Sequence, residues 1–161
     1  MNAIQRAVAL LFAASTLAFA GSAEAAVMFH AYDSNGKDTG TCAERVSGGY
    51  ALKPCDKKAA AQRFTFDVNG GTGGTITQPN ECLVALSWTP LDKVGGRPCN
   101  ATNFVGKLWR YTNGTQIIAM DSASASMCLS AKGTSFLSPP LVVQLCSARA
   151  LMTQWGVDQV P

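Results

Sequence analysis

Six cysteines fall into three successive pairs, Cys42 and Cys55, Cys82 and Cys99, Cys128 and Cys146, and an aromatic residue follows each pair at a nearly fixed distance. Phe64 lies nine residues after Cys55, Trp109 ten after Cys99 and Trp155 nine after Cys146. The first cysteines of successive pairs are 40 and then 46 residues apart. A unit of that size built from short strands cannot bury a core alone, so the three units must share one. A closed arrangement around a threefold axis pools their apolar faces and removes exposed strand edges. It places Phe64, Trp109 and Trp155 in the shared core as structural residues, with the cysteine pairs pinning connections outside it. Six cysteines allow fifteen pairings. The repeat favours pairing within units, closing spans of 13, 17 and 18 residues. Each such closure stabilises the fold by roughly 3 kcal/mol where native geometry is unstrained.

Residues 1–25 have the marks of an export leader. Arg6 supplies a basic end, Ala7 to Ala20 an apolar run, and Ala23-Glu24-Ala25 a small-x-small cleavage site. The run is too short to cross a bilayer, and no later stretch is long and apolar enough, so no membrane span is expected. The expected product, 26–161, has 136 residues and suits a single domain. It is expected to be secreted or periplasmic, where an even number of cysteines oxidises. Removing Arg6 and Glu24 leaves 12 basic and 9 acidic side chains, a net charge of +3. Lys57-Lys58 is the only adjacent basic pair and reads as a solvated turn, so the charge gives no footprint for nucleic acid.

Strand patterns follow the same rhythm. Val27 to His30 reads as a short strand that ends at the turn Asp33-Ser34-Asn35-Gly36. Arg63 to Val68 and Leu108 to Tyr111 alternate and end at Asn-Gly turns, and strands restart at Thr75-Ile76-Thr77 and Gln116 to Ala119. Leu83 to Leu86, Leu129 and Leu141 to Leu145 add further short apolar strands. Helix signals are confined to single turns at Ala59 to Gln62 and Ala148 to Met152. Gly70-Gly71-Thr72-Gly73-Gly74 lacks the lysine and following helix of a phosphate-cradling loop and reads as a hairpin connection. The fold class is all-β.

Together these marks resemble the ricin B-chain lectin family, whose β-trefoil domains carry three Cys-Leu…Cys…Gln-x-Trp units. Cys82-Leu83, Cys99 and Lys107-Leu108-Trp109 make the middle unit, and Cys128-Leu129, Cys146 and Thr153-Gln154-Trp155 the third. The first unit diverges, with Cys42-Ala43, a shortened span to Cys55 and Gln62-Arg63-Phe64. The resemblance implies a β-trefoil over residues from about 27 to 158.

It also implies where a sugar would bind. The family's site uses an aspartate two residues after the first cysteine, an aromatic two before the second, and an Asn-Gln pair opening the tripeptide. The acid accepts sugar hydroxyls, the aromatic covers an apolar sugar face, and the amides complete the network. Every unit here departs from that pattern. Glu44 is the only acid at the first position, where Val84 and Ser130 stand in the other units. Lys53, Arg97 and Gln144 hold the aromatic position. Ala61-Gln62 keeps half of the amide pair, whereas Gly106-Lys107 and Met152-Thr153 keep none. A galactose-type site is therefore expected only in the first unit, from Glu44 and Gln62, with Tyr50 as the available platform. Trp88, in the long connection from Leu86 to Arg97, is a second anchor for sugar or protein.

Catalysis has little support. His30 is the only histidine and pairing accounts for every cysteine, so neither a His-Cys metal cluster nor a Cys-His nucleophile can be assembled. No cofactor or metal is expected. Two readings remain: a carbohydrate-binding module whose partner is a glycan or glycoprotein, and a protein-interaction or toxin-delivery subunit that uses the trefoil without sugar binding, similar to the ricin-like subunits of cytolethal distending toxins.

Overall fold

The computed structural model describes residues 26–66, 73–112, 115–121, 126–132, 138–148 and 154–161. The expected leader, most of the Gly70–Gly74 connection, the Asn113-Gly114 turn and most of the Ala148–Met152 turn lie outside the described residues. The architecture is all-β. The first unit contains β1 (Ala26–Tyr32), the hairpin β2 (Asp38–Val46) and β3 (Gly49–Pro54), a 3-10 turn at Ala60–Gln62, and β4 (Phe64–Thr65). The second contains β5 (Gly74–Thr75), β6 (Thr77–Gln78), β7 (Glu81–Ala85), β8 (Val94–Arg97) and β9 (Leu108–Tyr111). The third contains β10 (Ile117–Ala119), β11 (Met127–Ala131), β12 (Leu141–Leu145) and β13 (Gln154–Val160).

Strands β3-β2-β1-β4-β6-β7-β8 form one sheet, with β13 also on β1, and β12-β11-β10-β9-β5 form the other. Pairing of Ala26 with Val160 through Tyr32 with Gln154 joins the two ends of the repeat array and gives β1 no free edge. The segment around Thr75-Ile76-Thr77 is not one strand. Thr75 pairs with Leu108 in the second sheet, Thr77 pairs with Thr65 in the first, and fully buried Ile76 marks the point where the chain changes sheets.

All three disulfides lie within units, Cys42–Cys55, Cys82–Cys99 and Cys128–Cys146, with Cα–Cα separations of 4.9, 5.0 and 5.0 Å. Each ties the two strands of one hairpin near its open end. In register, Cys42 faces Lys53 and Cys82 faces Arg97, two residues before the second cysteine of each pair. Phe64, Trp109 and Trp155 are buried in one continuous core with Phe29, Leu52, Leu83, Leu129 and Val143. Trp109 and Trp155 also bury their N–H groups without loss, because each indole donates to a carbonyl of its own unit at 2.9 Å, Leu83 and Leu129 respectively. Phe64 fills the equivalent place through ring packing, 5.2 Å from Phe29 and 6.0 Å from Tyr50 between centroids.

Candidate functional site

Residues i and i+2 of a strand share a face, so the disulfide at Cys42 places Glu44 on the outer face of the first hairpin. Directly across from Glu44 stands Ala51, whose methyl leaves the carboxylate uncovered. After Cys55 the chain turns through Asp56 to Lys58 and enters the 3-10 turn, which carries Gln62 back beneath Glu44. Gln62 is only 1% exposed, and its amide is engaged three times. Its Oε1 accepts the backbone N–H of Asp56 at 2.8 Å. Its Nε2 donates to Glu44 Oε2 and to the Pro54 carbonyl, both at 2.8 Å. Both amide protons are used, so Gln62 orients Glu44 rather than offering donors to a ligand. A bond to an ionised carboxylate is charge-assisted and among the stronger ones. Glu44 itself is half-buried, and Oε1 has no partner among the described residues.

The other expected site residues are placed differently. Tyr50 is 2% exposed and packs on Phe64, so its ring belongs to the core and presents no face at the surface. The two-residue turn Ser47-Gly48 sets this register, putting Tyr50 opposite Arg45 on the inward face of the hairpin. Burial pushes the Tyr50 hydroxyl up to about 12, against a smaller lowering by Arg45. Trp88 is half-buried and packs against the core. Its ring lies over Gly106, where a Cβ would come within 2.5 Å of it. Its connection is docked on the third unit by Leu91 N–H to the Val143 carbonyl and Val143 N–H to the Asp92 carbonyl, at 2.8 and 2.9 Å. Tyr50 and Trp88 thus form no joint surface with Glu44.

In the other two units the position of Glu44 is closed. Val84 and Ser130 are both fully buried there. Lys107 donates its Nζ to the Cys99 carbonyl at 2.9 Å. Asp121 acts as a backbone clamp, its Oδ2 accepting the N–H groups of Lys107 and Leu108 at 2.7 and 2.9 Å. His30 stands between two carboxylates, with Nε2 2.9 Å from Asp158 and Nδ1 3.7 Å from Asp38, and so links β1 to both neighbouring strands. Cys42 and Cys55 lie close to it, but their sulfurs are joined in a disulfide and are not thiolate ligands.

Sequence reasoning missed one feature at the junction of the first and second units. A cleft of about 460 Å³ is lined by Arg45, Ala60, Ala61, Gln78, Pro79, Asn80 and Glu81. Arg45 Nη2 pairs with Glu81 Oε2 at 2.5 Å. Gln78 fixes the wall by donating to the carbonyls of Ala61 and Arg63 at 2.8 and 3.2 Å. Asn80, at φ 70°, closes the tight Pro79-Asn80 turn between β6 and β7. The partners come from different units, so no spacing rule within one repeat points to them.

The three intra-unit disulfides and the core aromatics meet an independent comparison: the ricin-type beta-trefoil lectin domain matches residues 33–155. The chain belongs to that family. This ricin-type domain is also similar to a solved structure of GalNAc-T7 with UDP, GalNAc and Mn2+, at 19% identity and a TM-score of 0.54. The similarity covers 82% of this chain and 22% of the other. At that identity the likeness is one of fold. No curated protein sequence matches the chain. The family is one of lectin domains, not of catalytic ones.

Proposed function

We propose that the domain is an exported glycan-binding module with one site of the family type, in the first unit, where Glu44 accepts sugar hydroxyls. The observation that carries this reading is the Gln62–Glu44 hydrogen bond at 2.8 Å, made by an amide with no other freedom to move. A carboxylate fixed in this way is pre-organised, so binding does not have to order it. One shallow acid without an aromatic platform gives weak affinity, and the ligand class is a neutral sugar with adjacent hydroxyls.

A second reading is supported by the other two units. With Val84 and Ser130 buried at the acid position, most of the trefoil surface has lost the sugar chemistry, as expected of a domain that binds a protein partner. An array of glycans probed with the oxidised protein separates the two. Binding to a defined glycan that weakens in Glu44→Gln supports the first, and an array without a hit, together with a specific protein partner, supports the second.

A further inference from the structure

The cleft at the junction of the first and second units is a built polar site, independent of Glu44. Arg45 and Glu44 are adjacent in β2 and therefore point to opposite faces of the hairpin. At the cleft, the Arg45–Glu81 pair sits over Gly96, where any Cβ would collide with the Glu81 carboxylate and crowd Arg45. Space for this ion pair is thus made by the absence of a side chain on β8. Glu81 is 26% exposed and Arg45 40%, so the pair is open on one side. One guanidinium nitrogen holds Glu81, and the group has further N–H donors in the same plane. The Tyr50 hydroxyl is buried, and Arg45 and Glu81 are the charges that act on it. The rest of the lining is small and apolar at Ala60, Ala61 and Pro79, with the amide-bearing residues Gln78 and Asn80 beside them.

We propose that this cleft is a second saccharide subsite, in which the Arg45–Glu81 pair binds two adjacent hydroxyls of a neutral sugar. An alcohol hydroxyl both donates and accepts, so two neighbouring ones match a donor and an acceptor held side by side. Glu81 already neutralises Arg45, and a carboxylate or phosphate brought into the cleft meets the Glu81 charge at close range. The ligand is therefore a neutral polyol rather than an acidic sugar. The volume fits a mono- or disaccharide within the usual range of small-molecule sites.

The test uses the oxidised, 15N-labelled protein titrated with galactose, N-acetylgalactosamine, mannose and N-acetylneuraminic acid, read by NMR at the Arg45 Nε–H and the side-chain amides of Asn80 and Gln62. The proposal predicts that a neutral sugar shifts the Arg45 and Asn80 signals. The shifts persist in Glu44→Gln, and the affinity falls at least about tenfold in Glu81→Gln. Ala60→Trp, at an exposed position of the cleft lining, puts a bulky ring into the cleft while leaving Arg45 and Glu81 unchanged in sequence, and gives the same loss, which covers the case in which Glu81→Gln does not fold. Three outcomes overturn it: no shift at Arg45 or Asn80 with any neutral sugar, shifts there that disappear in Glu44→Gln, or a stronger response to N-acetylneuraminic acid than to the neutral sugars. Failure of the Glu44 site alone leaves the cleft shifts in place, so the two sites are separable.

Discussion

Trp109 donates its indole N–H to the carbonyl of Leu83, 26 residues earlier, at 2.9 Å, and the bond is buried. Trp155 and Leu129 repeat the relationship in the third unit with the same separation and distance. Each bond joins the aromatic strand of a unit to the residue after its first cysteine, so the sequence register of cysteine and tryptophan has a direct physical cause. Removing the ring in Trp109→Ala is expected to cost about 3–5 kcal/mol through a buried cavity. Trp109→Phe keeps most of the volume and loses the donor, which costs about 1–3 kcal/mol for a buried carbonyl deprived of its partner. Denaturant unfolding of the two variants should rank them in that order, and a Phe variant as damaged as the Ala variant would mean that the bond, not the burial, dominates.

Gln62 gives the second prediction. Gln62→Leu replaces the amide by an apolar side chain of comparable size and leaves the Asp56 N–H and Pro54 carbonyl without their partner. The expected loss of stability is about 2–4 kcal/mol, larger than for Glu44→Gln, which removes a half-exposed charge and keeps hydrogen-bonding capacity. Thermal unfolding that showed Glu44→Gln to be the more damaging change would contradict the orienting role of Gln62.

The third prediction concerns Tyr50 at high pH. Its folded-state value is about 12, above the ordinary 10, because burial disfavours the phenolate. Below pH 10 the hydroxyl is protonated in both states and its contribution is fully present. Between pH 10 and 12 the unfolded chain releases the proton first, so stability falls as pH rises through this window. Tyr50→Phe should flatten that part of the profile relative to the parent protein, and identical slopes in urea titrations at pH 10 and above would show that the hydroxyl is not held protonated by burial.

The fold was readable because covalent and steric constraints leave marks at fixed spacing. The cysteine pairs, the aromatic nine or ten residues later, and the runs Leu108 to Tyr111 and Leu141 to Leu145 all correspond to elements of the structure. Thr75-Ile76-Thr77 was only partly readable, since nothing local says that a chain leaves one sheet for another at a buried isoleucine. The site was less legible. Glu44 and Gln62 could be paired through the family resemblance, but the saturation of the Gln62 amide depends on Pro54 and Asp56, which flank Cys55 of the Cys42–Cys55 disulfide. The inward aim of Tyr50 follows from the Ser47-Gly48 turn and a register that composition does not reveal. Arg45 and Glu81 meet across two units, 36 positions apart, with a glycine on a third strand making room, and no single-repeat pattern encodes that.

The central claim is that a glycan binds to Glu44 as oriented by Gln62. It is tested most directly by titrating the parent protein and Glu44→Gln with the same array-identified glycan, under conditions where circular dichroism shows both folded. A carboxylate replaced by an amide loses a charge-assisted acceptor, so the variant should bind about 1–3 kcal/mol more weakly, roughly a five- to 150-fold rise in Kd. Equal affinities for the two proteins would contradict the account and remove Glu44 from the site.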